Sequence, residues 1–242
     1  MIGIIVELGI SWLILWFIEK KHLSVLGLTP TKSRTFHLLA GFLLAAACCI
    51  IFNVATVAFV NNGWTFNKQI GAGEIGTSSW WVLNSVLFEE FIFRGALLYI
   101  AINRLGILKA CFLSAACFGI YHWFSQNAFG NPGQMIVIFF ITAIAGLMFA
   151  FSFAKTKSLY LPIGLHFGWN LINIVVFSNG PLGLQLFTKL NDKQPQGVLS
   201  LLIFLFQVLA LPLFTYWWLR RIEKKANMYH EAKIPGKAEG IN

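Results

Sequence analysis

The chain has 242 residues, of which 57% are hydrophobic and only 11% are charged. A soluble domain carries roughly 25% charged residues, so this composition excludes an ordinary soluble fold and indicates a membrane protein. The net charge of +9 does not indicate a nucleic-acid partner, because the basic residues stand in short clusters between apolar segments, where the orientation of a membrane protein explains them.

Seven apolar segments follow one another along the chain, each about long enough for a helix that crosses ~30 Å of hydrocarbon. They cover about 2–18, 36–60, 79–102, 106–124, 134–153, 159–178 and 197–219. Backbone groups in lipid must form their hydrogen bonds within their own segment, so we predict an all-α, polytopic bundle of transmembrane helices. The number of spans is about seven, or eight if one further crossing or re-entrant segment exists.

The basic residues alternate between the loops. Most follow the first, third, fifth and seventh segments, namely Lys20, Lys21, Lys32, Arg34, Arg104, Lys109, Lys155, Lys157, Arg220, Arg221, Lys224 and Lys225. The other loops hold only Lys68, Lys189 and Lys193. By the positive-inside rule the C-terminus is cytoplasmic and, with seven spans, the N-terminus is outside.

The same pattern predicts one domain. We expect residues 1–219 to form the transmembrane domain, with the motifs in 79–178, and residues 220–242 to form a basic cytoplasmic tail. The short loops favour a bacterial cytoplasmic membrane over the membrane of an organelle. The expected partners are the lipid bilayer and a membrane-associated peptide or protein substrate, without nucleic acid.

A few ionisable side chains lie within the apolar segments, where each costs roughly 2.5–3.5 kcal/mol. Besides Glu7, the first are Glu89, Glu90 and Arg94 in the third segment. Glu90 and Arg94 are four residues apart, so they share a helix face and can pair. Glu89 is rotated by about 100° and has no such partner. This asymmetry favours a supporting role for Glu90 and Arg94 and a chemical role for Glu89.

Two histidines and an asparagine lie on later segments: His122 in the fourth, and His166 and Asn170, one helical turn apart, in the sixth. A glutamate can take a proton from water, and a histidine can orient that water. A second histidine and an asparagine can donate hydrogen bonds to an oxyanion. Glu89, His122 and His166 could equally hold a zinc ion with a water in the fourth position, and spacing does not decide between the two.

Three motifs therefore stand in order on successive predicted helices: Glu89-Glu90-x-x-x-Arg94, Phe118-x-x-x-His122 and His166-x-x-x-Asn170. This set resembles the CAAX-protease and bacteriocin-processing (CPBP) family of intramembrane endopeptidases, over residues 89–170. The resemblance implies an all-helical membrane bundle that hydrolyses peptide bonds. It implies that Glu89 and His122 activate water, and that His166 and Asn170 stabilise the tetrahedral intermediate.

The resemblance leaves the cofactor open, because both metal-dependent and metal-free mechanisms are attached to this family. We expect a site that requires no cofactor; if zinc is bound, its ligands are Glu89, His122 and His166. The sequence has no His-Glu-x-x-His motif, which excludes a thermolysin-type zinc site. The main alternative function is a catalytically silent membrane partner, of the bacteriocin self-immunity or scaffold type.

Two other functions fit the sequence less well. A proton-coupled transporter would show paired repeats, and a haem-binding electron carrier would leave the Glu-Glu-x-x-x-Arg motif without a role.

The depths of the motif residues fit the predicted boundaries poorly. Glu89 lies nine or ten residues from the outer end of its segment and His122 lies closer still to that side, whereas His166 lies in the inner half of its own segment. Either the boundaries differ from these, or the fourth helix is tilted or short.

Overall fold

The computed structural model describes residues 2–177 and 185–232, with side chains as far as Lys224. The α-helices of this part are α1 Ile2–Glu19, α2 Lys32–Ala58, α3 Ala72–Arg94, α4 Ala96–Leu105, α5 Ile107–Ser125, α6 Pro132–Thr156, α7 Tyr160–Asn170 and α8 Gly197–Ala232. A 3₁₀-helix at Leu23–Leu26 precedes α2, and a π-helix at Leu171–Phe177 continues α7. The predicted all-α bundle is confirmed. The end of the predicted tail, residues 233–242, lies outside the described residues.

Six helical segments of the described residues are long and apolar enough to cross a membrane: Ile2–Glu19, Lys32–Ala58, Ile107–Ser125, Pro132–Thr156, Tyr160–Phe177 and Gly197–Lys224. They correspond to six of the seven predicted spans. The predicted third span, 79–102, is instead built from α3 and α4, which meet at Gly95. The charged residues of α3 keep this region less apolar than the six long helices.

The break between α3 and α4 has a local cause. Gly95 leaves the helical conformation with φ −80° and ψ −134°, and a Cβ atom at this position would lie 2.1 Å from the carbonyl oxygen of Phe91. Only a residue without a Cβ fits so close to the preceding turn. The chain therefore turns directly after Arg94, the last residue of α3.

The helix ends also explain why the sequence placed the motif residues at different depths in the membrane. α3 begins at Ala72 rather than near residue 79, and the Glu74 carboxylate caps it by accepting a hydrogen bond of 2.9 Å from the Gly71 N–H. Glu89 therefore lies deep in the bundle. α5 ends at Ser125, so His122 sits in its last turn. The predicted start of the third span was wrong, whereas α5 covers the predicted fourth span at its expected length.

One end of the bundle gathers the basic loops. Arg104 pairs with Glu19 across α4 and α1 at 3.1 Å, and Lys155 pairs with Glu223 across α6 and α8. The Ser158 hydroxyl donates a hydrogen bond of 3.1 Å to the carbonyl of Gly27. We call this end the basic face.

The opposite end carries a small sheet that the sequence did not indicate. Strands β1 Trp64–Phe66 and β2 Phe187–Lys189 pair antiparallel, with Thr65 opposite Thr188. The Asn62 side chain donates hydrogen bonds to the carbonyls of Asn191 and Lys193 at 2.8 and 3.0 Å. These contacts join the loop before α3 to the loop before α8. We call this end the sheet face.

The helix that carries His166 is held tightly against α2. A Cβ atom at Gly164 would lie 2.3 Å from the carbonyl oxygen of Leu38, and one at Gly168 would lie 2.4 Å from that of Phe42. Small residues let two membrane helices approach this closely. His166 lies between the two glycines, so its backbone position is set by this packing.

Candidate active site

Glu89 lies in the last part of α3 and is buried, with 9% of its surface exposed. Its Oε1 atom accepts a hydrogen bond from the Ser85 hydroxyl at 3.4 Å, one turn earlier. Its Oε2 atom is buried and has no hydrogen-bond partner among the described residues. A buried carboxylate oxygen without a partner is costly, and Glu89 Oε2 shares this state with both oxygens of Glu7, so its surroundings must decide what it does.

His122 presents one ring nitrogen to Glu89. Its Nδ1 atom lies 2.8 Å from the carbonyl oxygen of Phe118, and because a carbonyl only accepts, Nδ1–H must be the donor. In the neutral ring Nε2 then carries the lone pair. This atom lies 4.0 Å from Glu89 Oε2. The backbone of the Phe118-x-x-x-His122 motif thus selects the tautomer of its histidine.

His166 approaches the same carboxylate from α7. Its Nδ1 atom lies 2.8 Å from Glu90 Oε1, and its Nε2 atom lies 3.7 Å from Glu89 Oε2. A carboxylate beside one ring nitrogen fixes the tautomer and the orientation of a histidine. Glu90 therefore positions His166 and leaves Nε2 facing Glu89.

Glu90 and Arg94 form the predicted ion pair, with Arg94 Nε 3.4 Å from Glu90 Oε2 and both side chains 0% exposed. The guanidinium lies 4.1 Å from the ring centre of Phe118 and 4.9 Å from that of Phe149. Cation–π contacts of this kind stabilise a cation that is out of reach of water. The pair, its aromatic neighbours and His166 form one buried layer behind the carboxylate of Glu89.

The predicted catalytic residues all line one cavity of about 810 Å³. These are Glu89, His122, His166 and Asn170. The cavity is formed by α3, α5, α6, α7 with its π-helix, and α8. The structure therefore brings together the residues of the three motifs, which lie on helices far apart in sequence.

Sequence reasoning missed several polar residues of this cavity, among them Ser85, Asn173 and Gln207. Ser85 stands four residues before Glu89 and Asn173 stands seven after His166, so helical spacing from the motif residues could have indicated both. Gln207 lies on α8, which carries no motif, and no sequence signal connects it to the site.

Glu89, His122 and His166 are the residues that would hold a zinc ion. A glutamate and two histidines have the donor chemistry of a catalytic zinc site. Among the residues that the structure describes, however, no group of three or more His, Cys, Asp or Glu side chains is placed to hold a metal ion.

Fold and site together define a helical membrane protein in which one glutamate and two histidines meet inside a cavity. A family model described as type II CAAX prenyl endopeptidase Rce1-like matches residues 74–172, a range that contains all three motifs. The match supports the assignment to the CAAX-protease (CPBP) family that the motifs predict, and it supports a protease at the level of the family. No curated protein and no solved structure matches the chain.

Proposed function

We propose that this protein is an intramembrane endopeptidase that hydrolyses a peptide bond in a membrane-associated or lipidated protein. One observation carries the proposal. Glu89 Oε2 lies within 4.0 Å of the Nε2 atoms of His122 and His166, and the three side chains come from three helices that line one cavity.

The first step is the activation of water. Glu89 Oε2 and His122 Nε2 are 4.0 Å apart, too far for a direct hydrogen bond, but one water about 2.8 Å from each would bridge them. Glu89 accepts one proton of this water, and the lone pair of His122 Nε2 accepts the other hydrogen in a hydrogen bond. The water oxygen then forms a bond to the carbon of the scissile carbonyl.

His166 and Asn170 stabilise the oxyanion that this attack creates. His166 Nε2 donates when the ring carries both protons, with Nδ1–H donating to the Glu90 carboxylate. Asn170 lies one turn further along α7 on the same cavity wall and supplies a second donor from its amide. When the C–N bond breaks, Glu89 passes its proton to the leaving amine, which completes the hydrolysis.

The test uses purified protein in lipid vesicles with a pool of lipidated and unlipidated peptides, and mass spectrometry of the products. We expect wild type to cut at discrete sites and Glu89→Gln to lose this cleavage. Glu7→Gln is the matched control, because Glu7 is a second glutamate inside a membrane helix but does not line the cavity. It should cleave as wild type does.

The same cleavage assay with a zinc chelator tests the proposal that the hydrolysis needs no metal. We expect 1,10-phenanthroline to leave the cleavage rate unchanged, and a loss that added zinc restores would contradict that part. If Glu89→Gln cleaves as fast as wild type, the proposed base is wrong. If Glu89→Gln also preserves the cellular phenotype of the wild-type protein, the silent-partner alternative replaces the protease.

A further inference from the structure

Buried side chains close the catalytic end of the cavity towards the basic face. Beside them, a groove between α6 and α8 shares Met148 and Pro212 with the cavity and reaches Lys155. The inner end of the cavity is formed by Phe118, Phe149 and His166, which are 2%, 4% and 5% exposed. Behind them lie the fully buried Arg94, whose guanidinium contacts both phenylalanine rings, and Phe153, which is 1% exposed. This layer separates the carboxylate of Glu89 from the basic loops.

The exposed residues of the cavity lie towards the sheet face. Trp81, in the first half of α3, is 41% exposed, and Ser125 and Gln126 at the end of α5 are also exposed. α3 starts next to the sheet. α5 starts at the basic face, because Arg104, just before α5, pairs with Glu19 at that face. The end of α5 therefore points towards the sheet face. The exposed fraction of the lining side chains therefore rises from the catalytic residues towards the sheet face.

The charges at the two ends of the bundle indicate which side of the membrane the open end of the cavity faces. The basic loops are gathered at the closed end, and the sheet face holds few basic residues, Lys68, Lys189 and Lys193. Loops rich in Lys and Arg stay in the cytoplasm. The open end of the cavity therefore faces away from the cytoplasm.

The side chains that line the cavity also limit which peptides can enter it. Apart from Glu89 and the two histidines, the polar groups of the described lining are neutral hydroxyls and amides, among them Gln126, Asn173 and Gln207. Such groups hydrogen-bond a peptide backbone, and no lysine, arginine or aspartate of the described lining offers a partner to a charged side chain. The aromatic rings of Trp81 and Trp169 complete the wall.

We propose that the active site takes its substrate from the extracytoplasmic side of the membrane, as an uncharged and apolar stretch of peptide. The chemistry at the inner end rests on the proposed function, whereas the direction of access rests only on burial and charge. The two can therefore be tested apart.

The direction is tested by cysteine labelling with a membrane-impermeant maleimide. Probes inside the cavity are Ser85→Cys and Asn173→Cys; Lys68→Cys marks the sheet face and Lys109→Cys the basic face. Wild type is the background, since of its four cysteines only Cys117 is exposed. Labelling after denaturation in detergent shows that each variant is present in the membrane.

In intact bacterial cells we expect both cavity probes to react together with Lys68→Cys, and Lys109→Cys to react only in inside-out vesicles. Cavity probes that react only from the side of Lys109→Cys, or from neither side, would overturn the proposal. The same labelling in a Glu89→Gln background needs no hydrolysis, so its result is independent of whether the protein is a protease.

The substrate class is tested by protection. A water-soluble peptide with an uncharged apolar centre should slow the labelling of Ser85→Cys at least threefold. A peptide of equal length with a lysine or an aspartate at its centre should not. Equal protection by charged and uncharged peptides would contradict the proposed selectivity.

Discussion

Glu89 and Glu90 are neighbours in the chain and have opposite surroundings. One residue of an α-helix is rotated by about 100° from the next, so Glu90 faces Arg94 and His166 inside the bundle while Glu89 faces the cavity. The same carboxylate is thus a buried counter-ion in one position and a candidate base in the other. This division predicts that equivalent substitutions at the two positions have different effects.

Glu90→Gln should destabilise the protein strongly. The amide keeps the shape of the side chain but removes the negative charge beside the fully buried Arg94. Removing one partner of a buried ion pair typically costs about 3–5 kcal/mol, because the remaining charge is left uncompensated. Thermal unfolding in detergent should show a clearly lower Tm for Glu90→Gln and a Tm near that of wild type for Glu89→Gln. Equal shifts for both variants would contradict the division of roles.

Asn170→Ala should lower kcat roughly 10²-fold and leave KM nearly unchanged. Its amide is proposed to bind the oxyanion only, and removal of one such donor typically costs about 10²–10³ in kcat. Asn173→Ala is the control, because Asn173 lines the same cavity on the following π-helix. A loss of activity in Asn173→Ala equal to that in Asn170→Ala, or a change confined to KM, would argue against an oxyanion donor.

The motif residues were predictable because charges inside apolar helices are conspicuous in a sequence. The pairing of Glu90 with Arg94 followed from their spacing. The hydrogen bond from His166 to Glu90 did not, because it joins α7 to α3 across 76 residues, and spacing indicates only contacts within one helix. The role of Phe118 as an aromatic neighbour of Arg94 was hidden for the same reason.

At the scale of elements, the break between α3 and α4 is the main departure from the predicted spans. Hydropathy alone does not reveal it, since apolar residues continue on both sides of Gly95. The break depends on a contact between backbone atoms of adjacent turns. The sheet was also unpredictable, because three-residue strands pair over a long sequence separation.

Gly95→Ala should destabilise the protein by several kcal/mol. A methyl group 2.1 Å from the Phe91 carbonyl oxygen forces the backbone to move, and the end of α3 carries Arg94 with it. Gly76→Ala in the same helix is the control, because a Cβ atom there meets nothing within 4 Å and alanine is the better helix former by ~1 kcal/mol. A stability ranking in which Gly76→Ala is the less stable variant would contradict this account of the break.

At the scale of the whole molecule, composition and charge carried most of the prediction. The low charge content predicted the membrane bundle, and the alternating loops predicted that the basic residues gather at one end, as the Arg104–Glu19 and Lys155–Glu223 pairs show. α3 and α4 together lead from the sheet face to the basic face, which adds one traverse to the six long apolar helices. The cavity and its closed end depend on packing between five helices, which a single sequence does not reveal.

The central claim is that Glu89 and His122 act together on one water. A double-mutant cycle with Glu89→Gln, His122→Ala and the combined variant tests it most directly, with kcat/KM measured on one cleaved peptide. We expect each single change to lower kcat/KM by roughly 10²–10⁴-fold, and the combined variant to lose little more than the worse single variant, as residues that act as a unit do. Losses that multiply would show that the two side chains act independently, and would contradict the account.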